Sequence, residues 1–158
     1  MEPGVSDREI KTSSTDLTLP EALRRQIEEE GVRAYPNECC GMLIGRDLTV
    51  GNEQRRVVER IVAGRNTFQA NEQYHRFSID PLQQLQVERE AEKEGRVLLG
   101  YYHSHPDHPA RPSEYDREHA WPFYSYVIVE IAKAKSQEMT SWVLDAASEQ
   151  FQRQGIES

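Results

Sequence analysis

His103 and His105 stand two residues apart, so on an extended segment both imidazoles project to the same side and can converge on one ion. A bare His-x-His pair is often just a solvated or hydrogen-bonded strand end. Asp116 changes its meaning: it lies in the first turn of a helix that Ser113 can cap, from which its carboxylate can return to the histidines across a short loop. Two imidazoles and one carboxylate suit Zn²⁺ and leave a fourth tetrahedral position open for water, the pattern of a catalytic site; a structural zinc favours cysteines. Hydrolysis of an amide also needs a group that takes a proton from water and hands it to the leaving amine. Glu38 is the candidate, because it leads into a buried, glycine-containing strand where a charge has no packing role. The plain readings are an exposed strand-end glutamate for Glu38 and a simple helix cap for Ser113. His75 and His119 read as ordinary loop and helix residues.

The elements that must position these groups follow from periodicity and punctuation. Residues 1–16 are polar and aperiodic and read as a mobile tail, leaving 17–158 as one domain. Leu19, Ala22, Leu23 and Ile27 recur at helical spacing, with Thr18 as cap, Pro20 in the first turn and Gly31 as the stop. Cys40–Gly45 is an apolar run that reads as a buried strand closed by a turn at Arg46-Asp47, and Val57–Val62 is a further strand. Gly64–His75 reads as a loop and Phe77-Ser78-Ile79 as a short strand. Asp80-Pro81 opens a charged helix running to Gly95, with Leu82 and Leu85 expected on its inner side. Val97–Tyr102 is a continuous apolar strand, typical of a sheet covered on both faces, and it runs directly into His103-Ser104-His105-Pro106. Ser113 caps a helix over about residues 114–120, and Tyr126–Val129 and Trp142–Leu144 give two more strands. Alternating helices and strands point to a single α/β domain.

A chain of 158 residues is long enough to bury a core without covalent staples. Its two cysteines, Cys39 and Cys40, are adjacent and poorly placed for a disulfide, which fits a reducing cytoplasm. The amino terminus lacks a secretory pattern, and no run approaches the ~18 apolar residues that span a bilayer. A net charge of −8 opposes binding to nucleic acid or anionic membrane. The local Arg55-Arg56 pair reads as a solvated strand end.

Glu38, His103-x-His105, seven residues, Ser113, two residues and Asp116 reproduce the motif of the JAMM (MPN-domain) metallopeptidases. The flanking words Pro36–Gly45, Asn66, Tyr102–Pro106 and Pro109–Ser113 resemble that family's small prokaryotic members, over about residues 20–150. The resemblance implies a mixed central sheet flanked by helices, of the cytidine deaminase-like kind. It makes His103, His105 and Asp116 the ligands of one zinc per chain, Glu38 the general acid/base, and Ser113 a hydroxyl donor to the oxyanion. It also implies isopeptidase action after the carboxyl-terminal Gly-Gly of a ubiquitin-like or sulfur-carrier protein. Cys39, Asp107 and His108 would lie near the mouth of such a site.

Two other readings compete. His103-Ser104-His105-Pro106-Asp107-His108 formally spells the His-x-His-x-Asp-His signature of metallo-β-lactamase-like hydrolases. That reading needs further downstream ligands, and the only later histidine is His119. A non-catalytic MPN scaffold, or a module that binds a ubiquitin-like partner without turnover, is the rival of another class. The intact ligand set argues against the scaffold.

Overall fold

The computed structural model describes residues 15–50, 53–67 and 78–158. The tail expected over 1–16 therefore lies outside the described residues for its first fourteen positions, while Asp16 already belongs to the sheet. The chain runs β1 (Asp16–Thr18), α1 (Glu21–Ala34), β2 (Cys40–Val50), β3 (Glu53–Ala63), α2 (Pro81–Lys93) and β4 (Val97–Pro106). It continues through α3 (Glu114–Glu118), β5 (Ser125–Ala132), β6 (Lys135–Leu144), β7 (Phe151–Gln154) and β8 (Ile156–Glu157). One mixed eight-stranded sheet has the order β7-β6-β5-β4-β2-β3-β1-β8, with β4–β5, β1–β3 and β1–β8 parallel. β7 and β8 close opposite ends of that order, yet only Gly155 separates them in the chain. Two peptide links span at most ~7–8 Å, so the sheet curls until its edges meet. The Leu17 N–H donates to the Gly155 carbonyl at that seam, 2.9 Å.

α1 covers one face, where Leu19, Ile27, Leu43, Leu99, Val127 and Val129 form a dry core. The helix ends ahead of Pro36, as the restriction on residues before proline favours, and Gly31 does not stop it. Gly31 lies buried inside α1, and a Cβ there would sit 2.8 Å from Ile131 Cδ1. The glycine costs about 1 kcal/mol of helix propensity relative to Ala, and what it permits is close approach of helix to sheet. Arg46-Asp47 makes no turn either. β2 runs on through Arg46↔Val57 and Asp47↔Arg56, and Arg46 pairs outward with Glu59, 3.2 Å.

α2 covers the other face beside Met42, Ile44 and Leu98, through Val87 and Ala91. Asp80 caps it, accepting from the Leu82 N–H. The expected inner residues face out: Leu82 is 76% exposed and Leu85 44%, because the buried stripe follows Val87 and Ala91, four residues apart. Arg56 corrects the solvated-pair expectation. Strand alternation turns it inward to 3% exposure, where Nη1 donates to Ser125 Oγ at 2.9 Å and the guanidinium lies 4.7 Å over the Phe123 ring. Of the expected strand at Phe77–Ile79, Phe77 lies outside the described residues and Ile79 makes an isolated bridge to Asn66. Among the described residues no helix is long and apolar enough to cross a membrane.

One irregularity decides which face carries the histidines. The β2–β4 ladder pairs Leu43 with Gly100 and Ile44 with Leu98, skipping Leu99. This one-residue bulge reverses the alternation that follows it. Leu99 and Tyr102 pack under α1, while Leu98 and Tyr101 face the opposite side. His103 and His105 continue the Tyr101 face, away from α1.

Candidate metal centre

The His103 and His105 Nε2 atoms lie 3.0 Å apart at the buried end of β4. His105 Nδ1 is 2.8 Å from the Pro109 carbonyl. A carbonyl can only accept, so Nδ1 carries the proton and the Nε2 lone pair points inward. α3 brings the carboxylate. Ser113 Oγ accepts from the Asp116 N–H at 3.1 Å, and Asp116 Oδ2 accepts from the Ser113 N–H at 2.8 Å, a complete capping box. The same carboxylate reaches His103 Nε2 at 3.3 Å through Oδ1 and His105 Nε2 at 3.2 Å through Oδ2. Zinc bonds of ~2.0–2.1 Å give a tetrahedron with edges of ~3.3–3.4 Å. The Nε2–Nε2 separation, and the distance from each imidazole to its own carboxylate oxygen, come close to those edges, so the chemistry and spacing of His103, His105 and Asp116 fit a Zn²⁺ ion. Burial works to raise the Asp116 pKa, but the charge and hydrogen bond of His103, with His105 behind it, outweigh burial and hold it well below the usual carboxylate range.

Glu38 approaches from the other side, on the connection between α1 and β2. The Cys39 N–H donates to Ser104 Oγ, 2.8 Å, and the Ser104 N–H donates to the Cys39 carbonyl, 3.1 Å. These two bonds dock the Glu38 segment onto β4. Glu38 is 6% exposed, and its donor atom clusters with those of His103 and His105 within 4.8 Å. Asp116 is in direct contact with the histidines, whereas no hydrogen bond to the Glu38 carboxylate is formed among the described residues. Burial pushes Glu38 up to about 8; His105 opposes this and Asp116 adds to it. A carboxyl group poised near neutrality beside three converging donor groups can exchange protons with a water held there.

Residues outside the motif hold this arrangement. The Tyr35 hydroxyl donates to Asp107 Oδ2, 2.5 Å, and Asp107 Oδ1 accepts from the Lys133 N–H, 2.8 Å. This ties the end of α1 to the turn that carries Pro109. His108 stacks on His105, ring centroids 4.0 Å apart, with Nδ1 2.9 Å from the Pro106 carbonyl. It supports a ligand ring and does not join the donor cluster, which removes the two-metal reading. His119 packs on Tyr115, and His75 lies outside the described residues. Cys39 and Cys40 are free thiols, pushed up to about 11 and about 12, chiefly by burial. Both line a surface depression shared with Glu38 and Asn66. Sequence reading missed Ser104 and Tyr35. Ser104 carried one faint signal, a small polar residue between two histidines and so aimed at the opposite face.

The family model described as prokaryotic homologs of the JAB domain matches residues 20–145. The chain belongs to this prokaryotic JAB family. A relative from Thermus thermophilus, named a probable TtuB-protein conjugate cleaving protease, is 33% identical over 112 residues, 71% of this chain and 68% of its own. A desampylase of Haloferax volcanii is 34% identical over 94 residues, 59% of this chain and 62% of that one. Among solved structures, a Desulfitobacterium hafniense protein matches with a TM-score of 0.74 at 33% identity, covering 90% of this chain and 94% of its own. A Salinibacter ruber protein matches at 0.64 and 34%, covering 89% of each. A JAB1/MPN domain protein of Archaeoglobus fulgidus shares the fold, with a TM-score of 0.53 at 17% identity over 93% of this chain and 100% of that one. The JAB/MPN fold expected from the motif is thus the fold of this chain, and its named relatives are enzymes that cleave.

Proposed function

We propose that this JAB-family protein is a zinc-dependent isopeptidase, cutting the amide bond after the carboxyl-terminal Gly-Gly of a ubiquitin-like or sulfur-carrier protein. The observation that carries the reading is the convergence of His103, His105 and Asp116 at tetrahedral spacing, with Glu38 near neutrality on the open side. The names of the Thermus and Haloferax relatives, a probable conjugate-cleaving protease and a desampylase, support a conjugate as substrate.

Zinc in this triad would supply Lewis acidity, lowering the pKa of water to roughly 7 and polarising the amide carbonyl. The chain's own groups do the rest. Glu38 takes a proton from the attacking water and returns it to the departing nitrogen, a task suited to a carboxyl group with a pKa near the working pH. Ser113 uses its oxygen to accept from the Asp116 N–H and keeps its hydroxyl proton for the developing oxyanion. Pro109 and Ser113 hold His105 and Asp116 in place, so little reorganisation accompanies the reaction. A diglycine tail suits the site because a thin extended chain can approach recessed ligands and offer its backbone for pairing.

The test compares zinc-loaded wild type with Glu38→Gln on a diglycine-lysine isopeptide conjugate. Wild type should release the amine, whereas the variant should bind the same zinc and release it at least ~10²-fold more slowly. Tight zinc binding without cleavage of any diglycine-linked conjugate would favour a capture module and sink the enzyme reading.

A further inference from the structure

Beside His103 and Asp116 lies a cavity of about 230 Å³ that the chemistry above leaves unused. Its floor follows from the parallel register of β4 and β5, in which Tyr101 stands opposite Tyr126 and His103 opposite Ile128. Phe151 of β7, Tyr115 of α3 and Trp121 supply the walls. The rings brace one another: Tyr101 stacks on Tyr126 with centroids 5.7 Å apart, and Phe151 meets Tyr126 edge-on at 5.9 Å. The Trp121 N–H donates to the Tyr126 hydroxyl, 2.8 Å, while its indole remains 68% exposed. The rim is thus anchored by its backbone and open at its ring. Among the described residues no Lys, Arg or Glu lines this cavity.

Size and chemistry limit the occupant. The volume equals seven or eight waters at ~30 Å³ each and falls below the ~300 Å³ at which sites for whole small molecules begin. One large apolar side chain fits that space, and aromatic walls favour it over a charged one. Position indicates where the side chain comes from. Glu38 borders a separate depression with Glu30 and Arg33, which neither histidine lines, whereas His103 and Asp116 border the aromatic cavity. A departing nitrogen that faces Glu38 directs the acyl strand the opposite way, across His103 and Asp116. The two glycines have no side chain to fill the space. At ~3.3 Å per residue, the residue before them lies ~7–10 Å from the scissile carbon.

We propose that this cavity is a specificity subsite for the acyl strand, taking an aromatic or large aliphatic side chain from the residue just upstream of the diglycine, with Trp121 and Tyr115 as its discriminating walls. The direction of the strand rests on the isopeptidase reading.

The zinc-loaded full chain should be assayed on acyl-X-Gly-Gly-aminocoumarin substrates with X as Phe, Leu, Asp or Lys. Phe and Leu should exceed Asp and Lys in kcat/KM by about tenfold or more, within the ~10–200-fold range of apolar pockets. Trp121→Ala, a change at an exposed ring, should bring the Phe-to-Asp ratio down towards unity, as should Tyr115→Ala. Equal rates for all four substrates, or a ratio unchanged in both variants, would overturn the subsite. A second arm needs no turnover: Phe-Gly-Gly acid and Asp-Gly-Gly acid are titrated into the isotope-labelled protein, and only the former should shift the Trp121 and Tyr115 resonances. Such shifts without cleavage of any diglycine substrate would leave the cavity standing and the isopeptidase reading fallen. Cleavage without preference, or without shifts, would do the reverse, and failure of both arms removes both.

Discussion

Asp116 and Glu38 flank the same pair of histidines, both largely withdrawn from water, and their proton affinities are driven apart. On the α3 side the carboxylate is braced, since the Ser113 N–H and two imidazoles contact it and keep it ionised. On the α1–β2 side the carboxyl group is buried near the same imidazoles with no such bracing among the described residues, and its pKa climbs to about 8. Two like groups with opposed environments are the usual sign of divided roles, and under the proposed function Asp116 would hold the cation and Glu38 would move the proton. The charge of His103 and the hydrogen bonds of both imidazoles, more than depth of burial, separate them.

The most damaging test removes the braced side. Asp116→Ala, His103→Ala and His105→Ala should each lose bound zinc and fall to background activity, read by metal analysis beside the conjugate assay. Zinc retained by all three variants would end the assignment. Next is Glu38→Gln, expected to keep zinc while losing ~10²–10⁴-fold in rate.

The same substitution sharpens the comparison through stability of the chelator-treated protein. Glu38 has a folded pKa above its ordinary 4.5, so the native state binds the extra proton. Its contribution is complete below about pH 4.5 and lost as pH rises through about 8. Asp116 has the opposite sign, stabilising above its ordinary 3.8 and failing only as pH drops well below it. Urea unfolding at pH 5 and pH 8 should therefore show Glu38→Gln gaining on wild type by a few kcal/mol at the higher pH, at ~1.4 kcal/mol for each tenfold change in proton affinity. Parallel behaviour of the two proteins would show that Glu38 is not held neutral by burial.

Ser113→Ala should cost ~1 kcal/mol through the lost cap, and up to ~10²-fold in kcat if the hydroxyl also serves the oxyanion. Ser113→Thr should restore both; a loss confined to stability would leave Ser113 as a cap alone. The smallest effect is expected from Tyr35→Phe, which frees Asp107 at an exposed bond and should cost under ~1 kcal/mol. A double-mutant cycle with Asp107→Ala should find coupling between the two, with at most a modest fall in kcat/KM.

Much of the site was legible because its parts are local or periodic. His103 and His105 end a continuous apolar run, Ser113-x-x-Asp116 has the spacing of a capping box, and Glu38 precedes Cys40–Gly45. What escaped depends on partners distant in sequence. Ser104 and Cys39 meet across 65 positions, and Tyr35 and Asp107 across 72. β1, β7 and β8 are too short to show a period and exist through the partners the curled sheet gives them. Gly31 and Arg56 misled for a related reason. Local rules read them as a stop and a solvated charge, while tertiary packing needs a missing Cβ at one and a buried guanidinium at the other.

The skipped residue at Leu99 turns placement of the two histidines into a question of parity. A sheet has two sides, so an odd insertion or deletion between that bulge and His103 would turn both imidazoles under α1, among leucines and valines, even with every strand pairing re-formed. An even change would return them to the open side. Deleting Leu99 itself only takes out the bulge, leaving Leu43↔Gly100 and Cys40↔His103 paired as before, so it is expected to give a folded chain whose histidines keep the open side.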